Sequence, residues 1–95
     1  MPTYVMLGRF TEKGLENIKD GALIKRSYEA CTKVGGQLKA FYMTVGRYDC
    51  IAIWEFPSNE ALAKALLGVG SVGAIRTETM GAMSWDQAKE AISKT

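Results

Sequence analysis

The first apolar positions of the chain alternate with the period of a β-strand. Thr3 to Phe10 is predicted as a strand, with Val5 and Leu7 on one side and Tyr4 and Met6 on the other. Because both sides carry large apolar groups, we expect both faces of this strand to be covered.

Helical spacing follows the first strand. Thr11 is a suitable N-cap, since its hydroxyl can accept a hydrogen bond from a free backbone N–H of the first turn. Asp20-Gly21 interrupts the pattern and predicts a break. Apolar residues at helical spacing resume from Ala22 to Val34, and Gly35-Gly36 is predicted to end this longer helix.

A hairpin is predicted in the middle of the chain. Gln37 to Val45 and Tyr48 to Phe56 have the composition of strands, and Gly46-Arg47 between them fits a two-residue type II′ turn. That turn pairs Tyr42 with Ile51. The pattern places Tyr48 with Cys50, Ala52 and Trp54 on one face, and leaves open which face meets the helices.

The second half repeats the alternation of helix and strand. A helix is predicted from Ser58 to Val69, with Gly68 and Gly70 loosening its end, and a long strand from Ser71 to Met83. Ser84-Trp85-Asp86-Gln87 fits a capping box and predicts a short C-terminal helix.

The order of elements predicts an α+β protein. Strand, helix, strand, strand, helix, strand is the ferredoxin-like βαββαβ arrangement, with a four-stranded antiparallel sheet and here a short C-terminal helix. Residues 1–95 are predicted to form one domain. The helices can cover only one face of such a sheet, so we expect a homodimer or a higher homo-oligomer to cover the other.

Composition narrows the range of partners. The net charge is +2, with acidic and basic residues interleaved, which argues against nucleic-acid binding. There is no histidine, and the two cysteines are far apart in sequence, so neither a metal site nor a cofactor is predicted. Met1 to Phe10 lacks the features of a signal peptide, and no apolar run is long enough for a membrane span. These features predict a cytoplasmic protein with free thiols.

Asp49 is the most informative polar residue, because it adjoins an otherwise apolar strand. It is a candidate general base, with Tyr42 or Tyr48 as a candidate proton donor. The alternative is an aspartate that accepts backbone hydrogen bonds near the hairpin.

Other candidates are ligand-binding residues. Arg76 and Glu78 lie on one side of the last strand and could line a polar pocket in which Arg76 holds a carboxylate or a phosphate. The alternative is that they are charged edge-strand residues. Tyr4, Tyr42 and Trp54 could stack on a ligand or seal a dimer interface.

Several short motifs, in the right order, resemble the GYD domain family. They include Gly46-Arg47-Tyr48-Asp49, Glu55-Phe56-Pro57-Ser58 and the stretch from Val72 to Thr79. The resemblance covers nearly the whole chain and implies a small dimeric α+β barrel of ferredoxin-like protomers. It implies no particular biochemical activity. Ser58 stands where an Asp often follows the proline, which changes only the helix cap.

Three functions follow as hypotheses. The first is an oligomeric protein that binds a small apolar or aromatic molecule, or has a regulatory role, with an apolar pocket between sheet and helices. The second, by analogy of fold, is a cofactor-independent monooxygenase or isomerase. The third is a pure oligomerisation module.

Overall fold

The computed structural model describes residues 1–95, in eight elements. In chain order these are β1 (Thr3–Phe10), α1 (Glu12–Glu16), α2 (Ala22–Thr32), β2 (Gln37–Met43), β3 (Cys50–Glu55), α3 (Asn59–Val72), β4 (Ile75–Ala82) and α4 (Trp85–Ser93). The βαββαβ order and the additional C-terminal helix are confirmed. The break predicted at Asp20-Gly21 separates α1 from α2, and Gly21 adopts a φ of +69° there.

The four strands form one antiparallel sheet in the order β2-β3-β1-β4. The first and third strands of the chain therefore lie at the centre of the sheet. Tyr42 pairs with Ile51, which confirms the predicted hairpin register. The β2–β3 ladder contains an irregularity between Leu38 and Ala40, and the pairing on either side of it is otherwise regular.

Three helices begin at the residues that the sequence indicated. The Thr11 hydroxyl accepts a hydrogen bond from the Gly14 N–H, and the Ser58 hydroxyl accepts one from the Ala61 N–H. Ser84 forms a reciprocal capping box at the start of α4. Each cap satisfies N–H groups that the helix itself leaves without a partner.

The turn of the hairpin differs from the predicted type. The Thr44 N–H donates to the Asp49 carbonyl across 2.9 Å, so the turn is a four-residue loop rather than a two-residue one. Gly46 has a positive φ of +148°, far from the roughly +60° of the first position of a type II′ turn. On the turn side, β2 therefore ends at Met43 instead of Val45, and β3 begins at Cys50 instead of Tyr48.

The predicted boundary between α3 and β4 is wrong. The sequence pattern predicts that Ser71 begins the strand, but α3 continues to Val72, and it ends at Gly73 with a φ of +77°. A Cβ at Gly68 would lie 2.8 Å from the Ala30 Cβ of α2, so that glycine permits close helix packing instead of ending the helix. The strand therefore begins at Ile75.

The two faces of the sheet have different surroundings. On one face, the helices cover a core built around Tyr4, Met6, Trp54 and Phe56. The other face, here called the open face, is uncovered and carries Val5, Leu7, Tyr42, Ile51, Ile53 and Met80. None of the helices has the length and apolar character needed to cross a membrane.

Candidate functional site

A half-enclosed cavity of about 340 Å³ lies between α2 and the helix-covered face of the sheet. Fifteen residues line it, of which eleven are hydrophobic. They are Met6, Gly8, Ile24, Lys25, Ser27, Tyr28, Cys31, Leu38, Phe41, Cys50, Ala52, Trp54, Val69, Ile75 and Thr77.

One stripe of α2 and the facing strands of the sheet form the walls of this cavity. Ile24, Tyr28 and Cys31 recur at steps of four and three, so one stripe of α2 faces the sheet. Small side chains opposite this stripe, Cys50 and Ala52, leave the space unfilled. The cavity thus lies where Ile24 and Tyr28 of α2 face the short side chains of Cys50 and Ala52 in β3.

Few polar groups are available to a bound molecule. Ser27 is buried, and its hydroxyl already donates to the Leu23 carbonyl across 3.0 Å. Lys25 and Thr77 are exposed, as is Tyr28, with 46% of its surface accessible. No carboxylate lines the cavity. The interior is thus suited to an apolar group, and apart from Ser27 the polar lining residues are exposed.

The two cysteines of the cavity wall are protonated thiols at neutral pH. Burial raises the pKa of Cys31 to about 11. Burial also raises the pKa of Cys50, and the negative charge of Asp49 acts in the same direction. Because a thiolate is the reactive form of cysteine, these pKa shifts make both residues poor nucleophiles.

The three predicted aromatic ligand-binding residues lie on two different faces of the sheet. Trp54 is buried, lines the cavity and stacks on Phe56, with ring centroids 5.6 Å apart. Tyr4 is buried in the same core but does not line the cavity, and its hydroxyl donates to the Asn59 side chain. Tyr42 is exposed on the open face.

Asp49 connects the hairpin to β1. Its Oδ2 accepts a hydrogen bond from the Phe10 N–H across 2.9 Å, and its own N–H donates to the Gly8 carbonyl across 2.8 Å. This is the backbone-accepting arrangement that the sequence offered as the alternative to a general base, with the donor on β1 instead of in the turn. Asp49 does not line the cavity, and its assignment as a base stays a prediction.

The remaining candidates meet at the hairpin end of the open face. The Tyr48 hydroxyl donates to Glu78 Oε2 across 2.7 Å, and this hydrogen bond raises the pKa of Tyr48. The guanidinium groups of Arg9 and Arg47 lie 5.2 and 5.8 Å from the centre of the Tyr48 ring. Arg76 pairs with Arg9 across the β1–β4 ladder.

The predicted placement of Tyr48 is thereby corrected. Glu78 lies opposite Leu7 on the open face, so Tyr48, which was grouped with Cys50 and the helix-covered face, instead reaches toward the open face. The backbone explains this correction, because Tyr48 belongs to the loop and the alternation of β3 starts only at Cys50.

Sequence reasoning missed most of the cavity. Of the seven predicted site residues, only Trp54 lines it. The stripe of Ile24, Tyr28 and Cys31 was visible as a helical pattern, but such a pattern normally indicates a filled core. Whether the space between helix and sheet is filled depends on the distance between them, and the sequence does not indicate that distance.

Comparison with known proteins first establishes the class of fold. A structure of TTHA0845 from Thermus thermophilus is similar at a TM-score of 0.60 and 24% identity, covering 88% of this chain and 95% of that one. A feast or famine regulatory protein from M. tuberculosis, complexed with L-methionine, is similar at a TM-score of 0.55 and 10% identity, covering 88% and 51%. At these identities the likeness shows the ferredoxin-like fold.

The sequence comparisons then identify the family. The profile of the GYD domain matches residues 4–92, and the chain belongs to this family. A Thermus thermophilus relative is 31% identical over 85 residues, which cover 87% of this chain and 90% of the relative. That relative is named "Glutamine synthetase and cystathionine beta-lyase binding protein".

Proposed function

We propose that this protein is a homodimeric binding module that takes up one small, predominantly apolar molecule in the cavity under α2. The observation that carries the proposal is the cavity itself, with eleven hydrophobic residues among the fifteen that line it. Apolar clefts with a few polar groups are the usual form of small-molecule sites.

The volume and chemistry of the cavity define the class of ligand. Its 340 Å³ is more than twice the ~150 Å³ of an engineered apolar cavity that holds benzene. A bicyclic aromatic compound, or an aliphatic chain of similar bulk, fits this space. Tyr28 and Trp54, whose ring centroids lie 5.8 Å apart, offer aromatic contacts. A polar substituent on the ligand would be directed towards the exposed Lys25.

The chemistry of the lining favours binding over catalysis. General acid–base catalysis needs a titratable group within hydrogen-bond reach of the reacting atom. The cavity wall carries no carboxylate, and burial keeps the thiols of Cys31 and Cys50 protonated. Asp49, the predicted base, donates and accepts its hydrogen bonds with the β1 backbone.

The open face supports the dimer. It carries apolar side chains on all four strands, including the exposed Tyr42 and Met80. Contiguous apolar surface of this kind usually marks a contact with another molecule. A second copy that covers the face would explain why the strands are apolar on both sides.

Titration with 2-naphthol, a neutral bicyclic compound, tests the proposal by calorimetry. We expect saturable binding in a 1:1 ratio to each chain, with a melting temperature that rises with ligand concentration. Ala52→Met extends a side chain from the sheet into the cavity and should abolish binding, because the longer side chain occupies the space of the ligand. Circular dichroism and the melting temperature of the unliganded variant check that it remains folded.

Ala63→Met is the matched control, since Ala63 is exposed on α3 and does not line the cavity. This variant should bind 2-naphthol as the unmodified protein does. Equal binding by the Ala52→Met variant would place the ligand elsewhere, and an absence of binding at millimolar ligand would refute the proposal.

A second candidate function is binding to a metabolic enzyme, which the name of the 31% identical relative favours. Purified glutamine synthetase and cystathionine β-lyase from the source organism of this chain provide the test, by analytical ultracentrifugation of mixtures. Co-sedimentation with either enzyme would support this function. Independent sedimentation of all components at tens of micromolar would refute it.

A further inference from the structure

The C-terminal helix α4 stands apart from the rest of the protein. None of its nine residues is buried, and it makes no extensive contact with any other element. Trp85 and Ile92 are 69% and 63% exposed, and Met83, just before the helix, is also exposed. The helix nevertheless has a complete capping box.

Helix energetics require that α4 pack against something. Isolated helices shorter than about 12–15 residues are marginal in water, and most helical stability in proteins comes from packing of an apolar face. The capping box contributes on the order of 1 kcal/mol, too little to replace that packing. Trp85, Ala88 and Ile92 lie at positions i, i+3 and i+7, so they form one apolar stripe ready for such a contact.

The charges of α4 disfavour a membrane surface as its partner. Asp86, Lys89 and Glu90 lie within the helix and Lys94 follows it, so acidic and basic residues balance. Interfacial helices on anionic membranes carry an excess of lysine and arginine on the polar face. A protein surface that is itself apolar is the better match.

We infer that α4 docks on the open face of a second copy of this chain, an inference that rests on the proposed dimer. The chain presents two uncovered apolar surfaces, the stripe of α4 and the open face. In a two-fold symmetric pair, each copy offers both surfaces to the other, so one contact covers them all. The short connection Met83-Ser84 places the start of α4 at the end of β4, which is an edge strand of the sheet.

The area of the interface supports a contribution from α4. Strands of up to eight residues at ~3.4 Å, in four rows ~4.8 Å apart, give the open face a flat footprint of about 500 Å². Nine helical residues at ~1.5 Å, on a cylinder ~10 Å wide, add about 140 Å². Together they give about 640 Å² per partner, which is closer than the footprint of the sheet alone to the ~800 Å² per partner of a specific interface.

The two tryptophans allow the docking of α4 to be measured separately from the dimer. Trp54 is buried and Trp85 is exposed within one copy, so the Trp54→Phe variant reports on α4 alone. Sedimentation equilibrium gives the dimer dissociation constant, and Trp85 emission is recorded across the same concentrations. We expect Trp85 emission to shift to longer wavelength on dilution, with the same midpoint as dissociation. If Trp54→Phe does not fold, acrylamide quenching of the unmodified protein provides the measurement, with the quenchable fraction rising on dilution.

Ile92→Ser and Leu67→Ser form a matched pair of variants. Both remove an exposed aliphatic residue from a helix, but Leu67, 74% exposed, lies on α3, which packs on the opposite side of the sheet. Ile92→Ser should raise the dissociation constant by about tenfold or more, because both copies lose the contact, and Leu67→Ser should leave it unchanged.

Each other outcome overturns the inference. A dimer in which Trp85 remains fully exposed would mean that a different protein covers α4, and would leave the proposed dimer intact. A Trp85 that is shielded at every concentration would mean that α4 packs on its own chain. A chain that is monomeric at all concentrations would refute the inference and the proposed dimer together.

Discussion

Replacing Met80 with glutamate tests whether the open face is covered in solution. Met80 lies opposite Val5 on the open face and is 46% exposed within one copy. Complete burial of a methionine is worth about 1.5–3 kcal/mol, so covering its exposed half contributes about 1 kcal/mol per copy. Since a symmetric dimer contains the contact twice, Met80→Glu removes about 2 kcal/mol of apolar stabilisation, which is roughly 30-fold in the dissociation constant.

The new charge adds to that loss. Burying a carboxylate without a partner costs several kcal/mol further, so the dissociation constant should rise well beyond 30-fold. The fold of one copy should persist, because Met80 lies outside the core. Sedimentation equilibrium measures the dissociation constant, and circular dichroism checks the fold. Leu67→Glu introduces the same charge on an exposed residue of α3 and should have no effect. Equal dissociation constants for the two variants would refute the covered open face.

Three further predictions concern stability. Gly46→Val should lower the free energy of unfolding by about 1–3 kcal/mol, because a φ of +148° strains any residue with a Cβ. Gly81→Val is the control and should have no such effect, since Gly81 has as much open space around it and does not have a positive φ; equal urea midpoints for the two variants would contradict the prediction. Gly36→Ala should destabilise by about 1–3 kcal/mol, since the new Cβ would lie 2.6 Å from the Phe56 ring, and an unchanged urea midpoint would refute that packing. The Cys31 thiol ionises near 9 when unfolded and near 11 when folded, so its contribution is complete below pH 9 and is lost as the pH rises toward 11. Under reducing conditions, the difference in the free energy of unfolding between the protein and its Cys31→Ala variant should narrow by about 1.5 kcal/mol from pH 9 to 10.5, and a constant difference would contradict the pKa shift.

The sequence predicts those parts of the fold that local chemistry determines. Helix starts at Thr11, Ser58 and Ser84 follow from single hydroxyl groups. The pairing of Tyr42 with Ile51 follows from the position of the turn, because the four-residue loop is centred on Gly46-Arg47, as the predicted two-residue turn was. The predicted end of α3 is wrong because Gly68 is required for close packing against Ala30 of α2, a residue distant in sequence. The sequence alone does not distinguish a glycine that ends a helix from one that allows a second helix to pack closely.

The candidate site was less predictable, because it depends on distances between elements. Alternation groups Trp54 with Cys50 and Ala52 but does not say that α2 lies above them. The polar residues that attracted attention, Asp49 and Arg76, lie at the hairpin end of β1 and on the open face, away from the cavity. Polar residues are the usual signal of a functional site in a sequence, whereas this site is an unfilled space lined mostly by hydrophobic side chains.

A crystal structure of the protein grown with 2-naphthol tests the central claim most directly. The account predicts one molecule per chain in the cavity, between α2 and the sheet, in contact with Tyr28, Cys31 and Trp54. A structure in which α2 has closed onto Ala52 and leaves no cavity, or in which the compound occupies only the open face, would contradict it.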